Sequence, residues 1–589
     1  MQPSIKQLLE PVQRIRVWYV LLLLVFGLLV VRLFYIQIIQ HDHYKTAAQH
    51  GQLREYEIPA ERGVIEAYSN GERVPIVLNE TKYTLFADPA FIEDHDQAAI
   101  EIQEIIGGDA NEYKQKMTAD SRYVILAKKL DKDTKKTIES LDLKGIGLRD
   151  AVYRTYPQGK LASQSLGFVN DEGEGVYGVE QALNEELSGT PGMLRAITDA
   201  QGVPLPANRE NTLIEPQNGQ RVVTSLDIGM QKHVEDILRA NLKRAKSSSG
   251  GVVVLEADTG AIKAMANYPT YDPAKFSKVS SDDIGVFENN IVSGALEVGS
   301  IMKPLTVAAA LNEGVIQRDS TYYDSGFIEV DGATITNVEE SGGAGTRSIK
   351  DILQLSLNTG ATWMLKQLGG GEINKQARTT WHNYMTDHYY FGQYTGIEQG
   401  YESAGSIPDP VDGFGLNIQF ANTAFGQGMT ATPLQMGAAL ASVVNGGTRY
   451  HPYLVESVIS QDGGVHDRRP QAVNKEVVSR QTSKNVKELM EYVFQTNHRT
   501  YGMDSLRPKY SIGGKTGTAQ VPKPEGGYYE DKFNGMFMGF VGGDNPEYII
   551  VARVNDPQIG GYAGSTGAGP VFTDIVNVLI DNFGVTPKK

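Results

Sequence analysis

At 589 residues the chain is too long for one ordinary domain and suits two or three. Apolar residues make up 41% and charged ones 21%, which excludes wholesale disorder and permits a large packed core. Lys and Arg number 55 against 70 Asp and Glu, a net charge of −15 that argues against a general nucleic-acid binder. Cysteine is absent, so disulfides, a thiol nucleophile, Cys-ligated zinc and iron–sulfur clusters are excluded.

The first element is an apolar run from Val17 to Val31, followed by Arg32 and a greasy continuation to Ile39. As a helix, residues 17–39 reach roughly 34 Å, enough for a hydrocarbon core of about 30 Å. Arg32 can snorkel to the headgroups. Lys6, Arg14 and Arg16 precede the run, which predicts a cytoplasmic segment 1–16, a transmembrane helix 17–39 and an extracytoplasmic body. A cleaved signal peptide is the competing reading, with Thr46-x-Ala48 as its cleavage site, but that site lies well beyond the hydrophobic stretch.

Residues 40–221 mix short β-like runs such as Lys82–Ala87 with charged helical stretches such as Tyr113–Leu143, an α+β pedestal without a catalytic constellation. Phe91–Asp96 (FIEDHD) reads as a solvated cap instead of a metal site. His382 and His388 are spaced wrongly to share a helical face and read as structural. Pro204, Pro206 and Pro216, with Asn208, Asn211 and Asn218, mark an irregular junction before Val222–Leu226, where the second domain, 222–589, begins. There Gly250–Asp258 and Ala261–Tyr268 read as a hairpin. Helices are expected at Ile301–Asn312, Ile349–Leu368, Pro433–Val444 and Lys484–Gln495. Three β-rich runs follow, Ser511–Gln520, Gly535–Gly542 and Tyr548–Val554, and then a helix over Pro570–Asn582. Strands at both ends with helices between them predict an α/β body around a central antiparallel sheet.

Chemistry concentrates in Ser300-Ile-Met-Lys303, Ser356-Leu-Asn358 and Lys515-Thr516-Gly517. Each is weak alone, because an S-x-x-K arises about twice by chance in a chain this long. Together they supply a site for acyl transfer. A serine hydroxyl needs a base, and helical spacing brings Lys303 within reach of Ser300. Lys303 can accept a proton only when neutral, which burial or the charge of Lys515 would favour. Ser356 offers a second hydroxyl for proton relay, and Asn358 can hold a substrate amide. On a strand, Lys515 and Thr516 present an ammonium and a hydroxyl to a substrate carboxylate, while Gly517 leaves room for the substrate backbone. The amides of Ser300 and Thr518 are candidate oxyanion donors.

With these motifs stand longer runs: Ser225–Gln231 (SLDIGMQ), Gly250–Pro273, Glu297–Thr306 (EVGSIMKPLT), Phe425–Gly447 (FGQGMTATPLQMGAALASVVNGG), Ile512–Gln520 (IGGKTGTAQ) and Tyr562–Phe572. Upstream are Glu61–Ile65 (ERGVI), Arg154–Pro157 (RTYP) and Gly175–Gly192 (GVYGVEQALNEELSGTPG). The chain resembles a class B penicillin-binding protein, a monofunctional D,D-transpeptidase of peptidoglycan synthesis, over nearly its whole length after the apolar run. Two departures stand beside the nucleophile: Val298 where the family usually has proline, and Ile301-Met302 where Thr-Phe is common.

The resemblance implies a penicillin-binding transpeptidase fold, with a helical subdomain beside the central sheet. It also implies that Ser300 attacks the penultimate D-Ala carbonyl of a stem peptide ending in D-Ala-D-Ala, expels D-Ala and passes the acyl group to an amine of a neighbouring stem. A β-lactam would acylate the same serine, and no metal or organic cofactor is implied. Phe425–Met436, the KTGTAQ run and the overall length resemble the division (septal) type more than the elongation type. Partners implied are a polytopic lipid-II polymerase of the shape, elongation, division and sporulation family and other divisome membrane proteins. The rivals are a serine β-lactamase or D,D-carboxypeptidase, which need a deacylating water, and a non-catalytic penicillin sensor, which would not need all of Ser300, Lys303, Ser356 and Lys515.

Overall fold

The computed structural model describes residues 11–44, 53–197, 212–338, 343–411, 413–467, 470–523 and 525–589. Lys6, the Thr46-x-Ala48 site and Pro204, Pro206, Asn208 and Asn211 of the junction lie outside the described residues. Two compact units divide the chain: residues up to Ala60 with Gly189–Asn218, and Glu61–Ser188 with Gly219–Lys589.

The smaller unit holds the apolar helix, α-helical over Pro11–Phe34 and continued by a π-helical turn over Tyr35–Ile39. Ile15–Ile39, 25 residues, is long and apolar enough to cross a membrane. Its other element is a three-stranded antiparallel sheet of Leu53–Ile58, Gly192–Ile197 and Thr212–Ile214, in that order.

In the larger unit the expected KYTLFA run is the end of a 16-residue strand, Glu72–Ala87, that pairs with Ile65–Ser69, Val124–Leu130 and Ile146–Thr155. The expected helical stretch from Tyr113 to Leu143 is interrupted by Val124–Leu130, which Leu126 anchors in a small core with Leu85 and Ile138. Asp94 caps the helix His95–Ile106, its carboxylate accepting from Asp96 N and Gln97 N, so FIEDHD is a cap. The three upstream motifs meet at one buried carboxylate. Glu180 accepts from Arg62 Nε and Arg154 Nε, both at 2.7 Å. The strand Arg221–Asp227 runs parallel to Ile65–Ser69 on one side and antiparallel to Val455–Ile459 on the other.

The rest of the larger unit is built on a five-stranded antiparallel sheet in the order Ile262–Tyr268, Ser249–Glu256, Pro546–Asn555, Tyr528–Gly542 and Ser511–Pro522. Alternation along each strand divides its side chains between two cores. Val252, Val254, Ile550, Ala552, Phe537 and Val541 pack with Ile228–Ala245 and Gly569–Asn582. Val253, Leu255, Ile549, Val551, Met538 and Phe540 join the second core, which includes Leu305, Leu353, Leu365 and Leu440 from the helices between the strands. Ser511–Pro522 forms one edge of the sheet, and Phe537 and Phe540 fill the space opposite Gly514 and Gly513, where a β-carbon would collide at 2.4 Å.

Two expected helices differ in a way that matters for the site. Over Ile301–Asn312 the α-helix starts at Lys303, after a 3₁₀ turn at Gly299–Met302. Ile349–Leu368 is two helices, Ile349–Gln354 and Asn358–Leu368, broken where Ser356 takes φ +59°.

Candidate active site

Gly299 initiates the turn that carries Ser300. Its φ is +59°, its N–H donates to Gly426 O at 2.9 Å, and a β-carbon on it would stand 2.8 Å from Thr518 O. The turn that carries Ser300 therefore lies directly against the edge strand. Gly426 is equally constrained, since a β-carbon there would reach 2.1 Å from Gly299 O. The 3₁₀ turn nearly eclipses positions three apart, which places Lys303 beneath Ser300. Val298, Ile301 and Met302 are fully buried, so both departures from the family pattern face the core.

Lys303 is fully buried, and its Nζ has four oxygen neighbours: Ser300 Oγ at 2.9 Å, Ser356 O at 2.6 Å, Ser356 Oγ at 3.1 Å and Asn358 Oδ1 at 2.9 Å. Asn358 Nδ2 donates to Thr336 O at 3.0 Å, which turns Oδ1 toward the amine. Two of the four neighbours can only accept. A neutral amine satisfies those two with its two N–H groups and leaves its lone pair for a hydroxyl. Burial holds Lys303 well below the ordinary lysine range, and the charge of Lys515 lowers it further. That geometry fits a base.

Lys515, on the edge strand, donates to Ser356 Oγ at 3.0 Å, Thr516 O at 2.9 Å and Thr516 Oγ1 at 3.3 Å. Burial pushes it down to about 7. Ser356 Oγ thus stands between the two amines. Gly517 packs against the Ser300 turn, where a β-carbon would meet Val298 O at 2.8 Å. Its close approach is to protein backbone, which supplements the expected role of leaving room for substrate. Thr518 Oγ1 accepts from Gly564 N at 3.1 Å.

Ser300, Ser356, Asn358, Thr516 and Thr518 line one cavity of about 850 Å³. All eight residues singled out from the sequence come together around it. Sequence reasoning assigned no role to Gly426, Phe425, Gln427 and Tyr501, which complete the turn or the cavity wall. The two glycines flanking Gln427 in FGQG were the available signal. His388 Nδ1 lies 2.9 Å from Val477 O, and its ring stacks on Tyr384, a structural role. Among the described residues no group of three or more His, Asp or Glu is placed to hold a metal.

Residues 250–577 match the penicillin binding protein transpeptidase domain, and residues 57–224 match the penicillin-binding protein dimerisation domain. Stage V sporulation protein D of Bacillus subtilis is 31% identical over 588 residues, covering 98% of this chain and 87% of the relative. The probable peptidoglycan D,D-transpeptidase PenA of Neisseria gonorrhoeae is 25% identical over 602 residues, covering 100% and 96%. Penicillin binding protein 2X of Streptococcus thermophilus shares the fold, with a TM-score of 0.71 at 22% identity over 90% of this chain and 80% of that one.

Proposed function

Since the chain belongs to the class B penicillin-binding proteins and is a serine-type peptidoglycan D,D-transpeptidase, we propose that it works through an acyl-enzyme on Ser300 during septal wall synthesis. The observation that carries the mechanism is the buried Lys303 Nζ at 2.9 Å from Ser300 Oγ. Neutral Lys303 takes the hydroxyl proton as Oγ attacks the penultimate D-Ala carbonyl. The amides of Ser300 and Thr518 stabilise the oxyanion, a contribution of roughly 10²–10³ in rate per donor. Ser356 relays the proton to the departing D-Ala nitrogen, Asn358 holds a peptide amide of the donor, and Lys515 with Thr516 takes its terminal carboxylate. An amine of a second stem then displaces Oγ. A β-lactam stops at the first half.

The basic residues Lys6, Arg14 and Arg16 ahead of the apolar helix support a cytoplasmic N-terminus with the catalytic body outside. We assign residues 40–221 to the pedestal and 222–589 to catalysis, with a lipid-II polymerase of the shape, elongation, division and sporulation family as membrane partner. The likeness to a stage V sporulation protein favours a second reading, a role in sporulation.

Purified protein incubated with a fluorescent penicillin should give a lasting adduct on the peptide containing Ser300, and none in Ser300→Ala. Rapid turnover of the antibiotic would instead favour a hydrolase. Depletion in growing cells should give filaments; rounding would point to elongation, and a defect confined to spores to sporulation.

A further inference from the structure

The cavity that Ser300 lines meets ionisable groups in two places. At one, Lys515 and Lys303 flank Ser356. At the other stands Asp531, the one carboxylate among the described residues that line the cavity. Asp531 is exposed and has no hydrogen-bond or ion-pair partner among the described residues. The chemistry at Ser300 makes no use of it.

Its position is built by the hairpin. Gln520 pairs with Phe533 and Pro522 with Tyr528, so the stretch from Tyr528 to Phe533 is longer than its partner and bulges. Bulges re-aim side chains beside active sites. This one is fastened at its base: Tyr528 Oη donates to Glu297 Oε1 at 2.8 Å, and Gln520 Nε2 donates to Tyr529 O at 3.4 Å. Glu297 Oε1 also accepts from Gly428 N at 2.8 Å, which ties the bulge to the segment just before the nucleophile. The nearby cations Lys532 and Lys523 lie over the Tyr529 ring, 4.7 Å and 5.6 Å from its centroid, and neither pairs with Asp531.

We propose that Asp531 holds the primary ammonium of the acceptor stem peptide at the mouth of the cavity, which makes it a specificity-determining residue for the second half-reaction. The inference rests on the Ser300 acyl-enzyme reading. A primary amine with an ordinary pKa near ~10.4 arrives protonated at neutral pH. A protonated Lys515 repels that cation, and the Asp531 carboxylate raises its concentration in the cavity that Ser300 lines. The ammonium then gives one proton to solvent. Its nitrogen forms the C–N bond as the C–Oγ bond breaks, a second proton passes through Lys303 to Ser300 Oγ, and the third stays on the new amide.

The test uses the full-length protein in detergent, a D-Ala-type thioester as donor, and two acceptors: a tripeptide ending in lysine with its side-chain amine free, and its meso-diaminopimelate counterpart. Asp531→Asn is expected to raise the acceptor KM about two- to fivefold, as loss of one exposed ion pair should. Asp531→Glu should recover most of that loss, and added salt should raise the KM of the natural protein but hardly that of Asp531→Asn. A change confined to the lysine acceptor would assign the contact to an amine without a neighbouring carboxylate, and an equal change with both to the ammonium alone. An unchanged KM with both acceptors overturns the proposal. Hydrolysis of the thioester in the absence of acceptor reports Ser300 separately: if the natural protein forms no acyl-enzyme, the underlying mechanism fails, not the role of Asp531.

Discussion

Ser356 Oγ lies 3.1 Å from Lys303 Nζ, and the backbone that presents it is left-handed, with φ +59°. On its other side the same hydroxyl meets Lys515 Nζ at 3.0 Å. A residue with a β-carbon pays conformational energy there, and the gain is a hydroxyl between two amines.

Removing that hydroxyl separates the two effects. Ser356→Ala and Ser356→Gly should both slow penicillin acylation, by about 10²-fold or more, as loss of a proton-transfer group does. Glycine tolerates positive φ, so Ser356→Gly should be the more stable of the two by about 1 kcal/mol. Stopped-flow acylation and thermal melts measure both; equal stability would mean the left-handed backbone carries no strain.

The pH profile of acylation follows from the two buried lysines. In the proposed mechanism Lys303 acts as a neutral base, and its depressed value lets it lose its proton below the ordinary lysine range. In the same mechanism Lys515 binds a carboxylate as a cation, and burial pushes its value down to about 7. The second-order acylation rate should therefore rise with pH on the acid side and fall above about 7. Lys515→Arg, which stays charged, should lose the falling limb. A falling limb that persists in Lys515→Arg assigns that limb to another group.

Lys515 also makes a prediction about stability. Between its folded value of about 7 and the unfolded lysine value near ~10.4, the unfolded chain binds more protons, so stability rises with pH across that window. Lys515→Met should lose this part of the slope and melt higher at pH 7 while failing to acylate. Melting curves from pH 7 to 10 test it, and a variant less stable at pH 7 would show that the hydrogen bonds of Lys515 outweigh its burial.

Gly426→Ala probes the turn from outside the motifs. Its β-carbon would press on Gly299 O, and its φ of +83° disfavours alanine. Acylation should drop at least about tenfold while the far-ultraviolet spectrum stays native, the effect of displacing Ser300. Acylation at the natural rate would show that the Ser300 turn is held without this contact.

Much of this was legible in the sequence. Apolar β-rich runs bounded by Gly/Pro turns marked the strands of the five-stranded sheet, and an S-x-x-K beside an apolar helix pointed to Ser300 and Lys303. The break at Ser356 was not legible, because Ile349–Leu368 keeps helical periodicity across it and the left-handed residue is neither Gly nor Asn. The tie between Glu297 and Tyr528 spans 231 residues and has no local signature. Likewise, the strand Val124–Leu130 carries a Lys-rich stretch that resembles a solvated helix until Leu85 and Phe86 of its neighbour pair beside it.

The strand Arg221–Asp227 has a practical consequence for anyone who trims this protein. Its two partners, Ile65–Ser69 and Val455–Ile459, lie far apart in the sequence, one before it and one well after it. A soluble catalytic fragment that begins at residue 222 leaves one side of that strand with bare amides and carbonyls, a sticky border that invites self-association. A fragment that begins at Glu61 keeps the border sealed and should remain monodisperse where the shorter one precipitates.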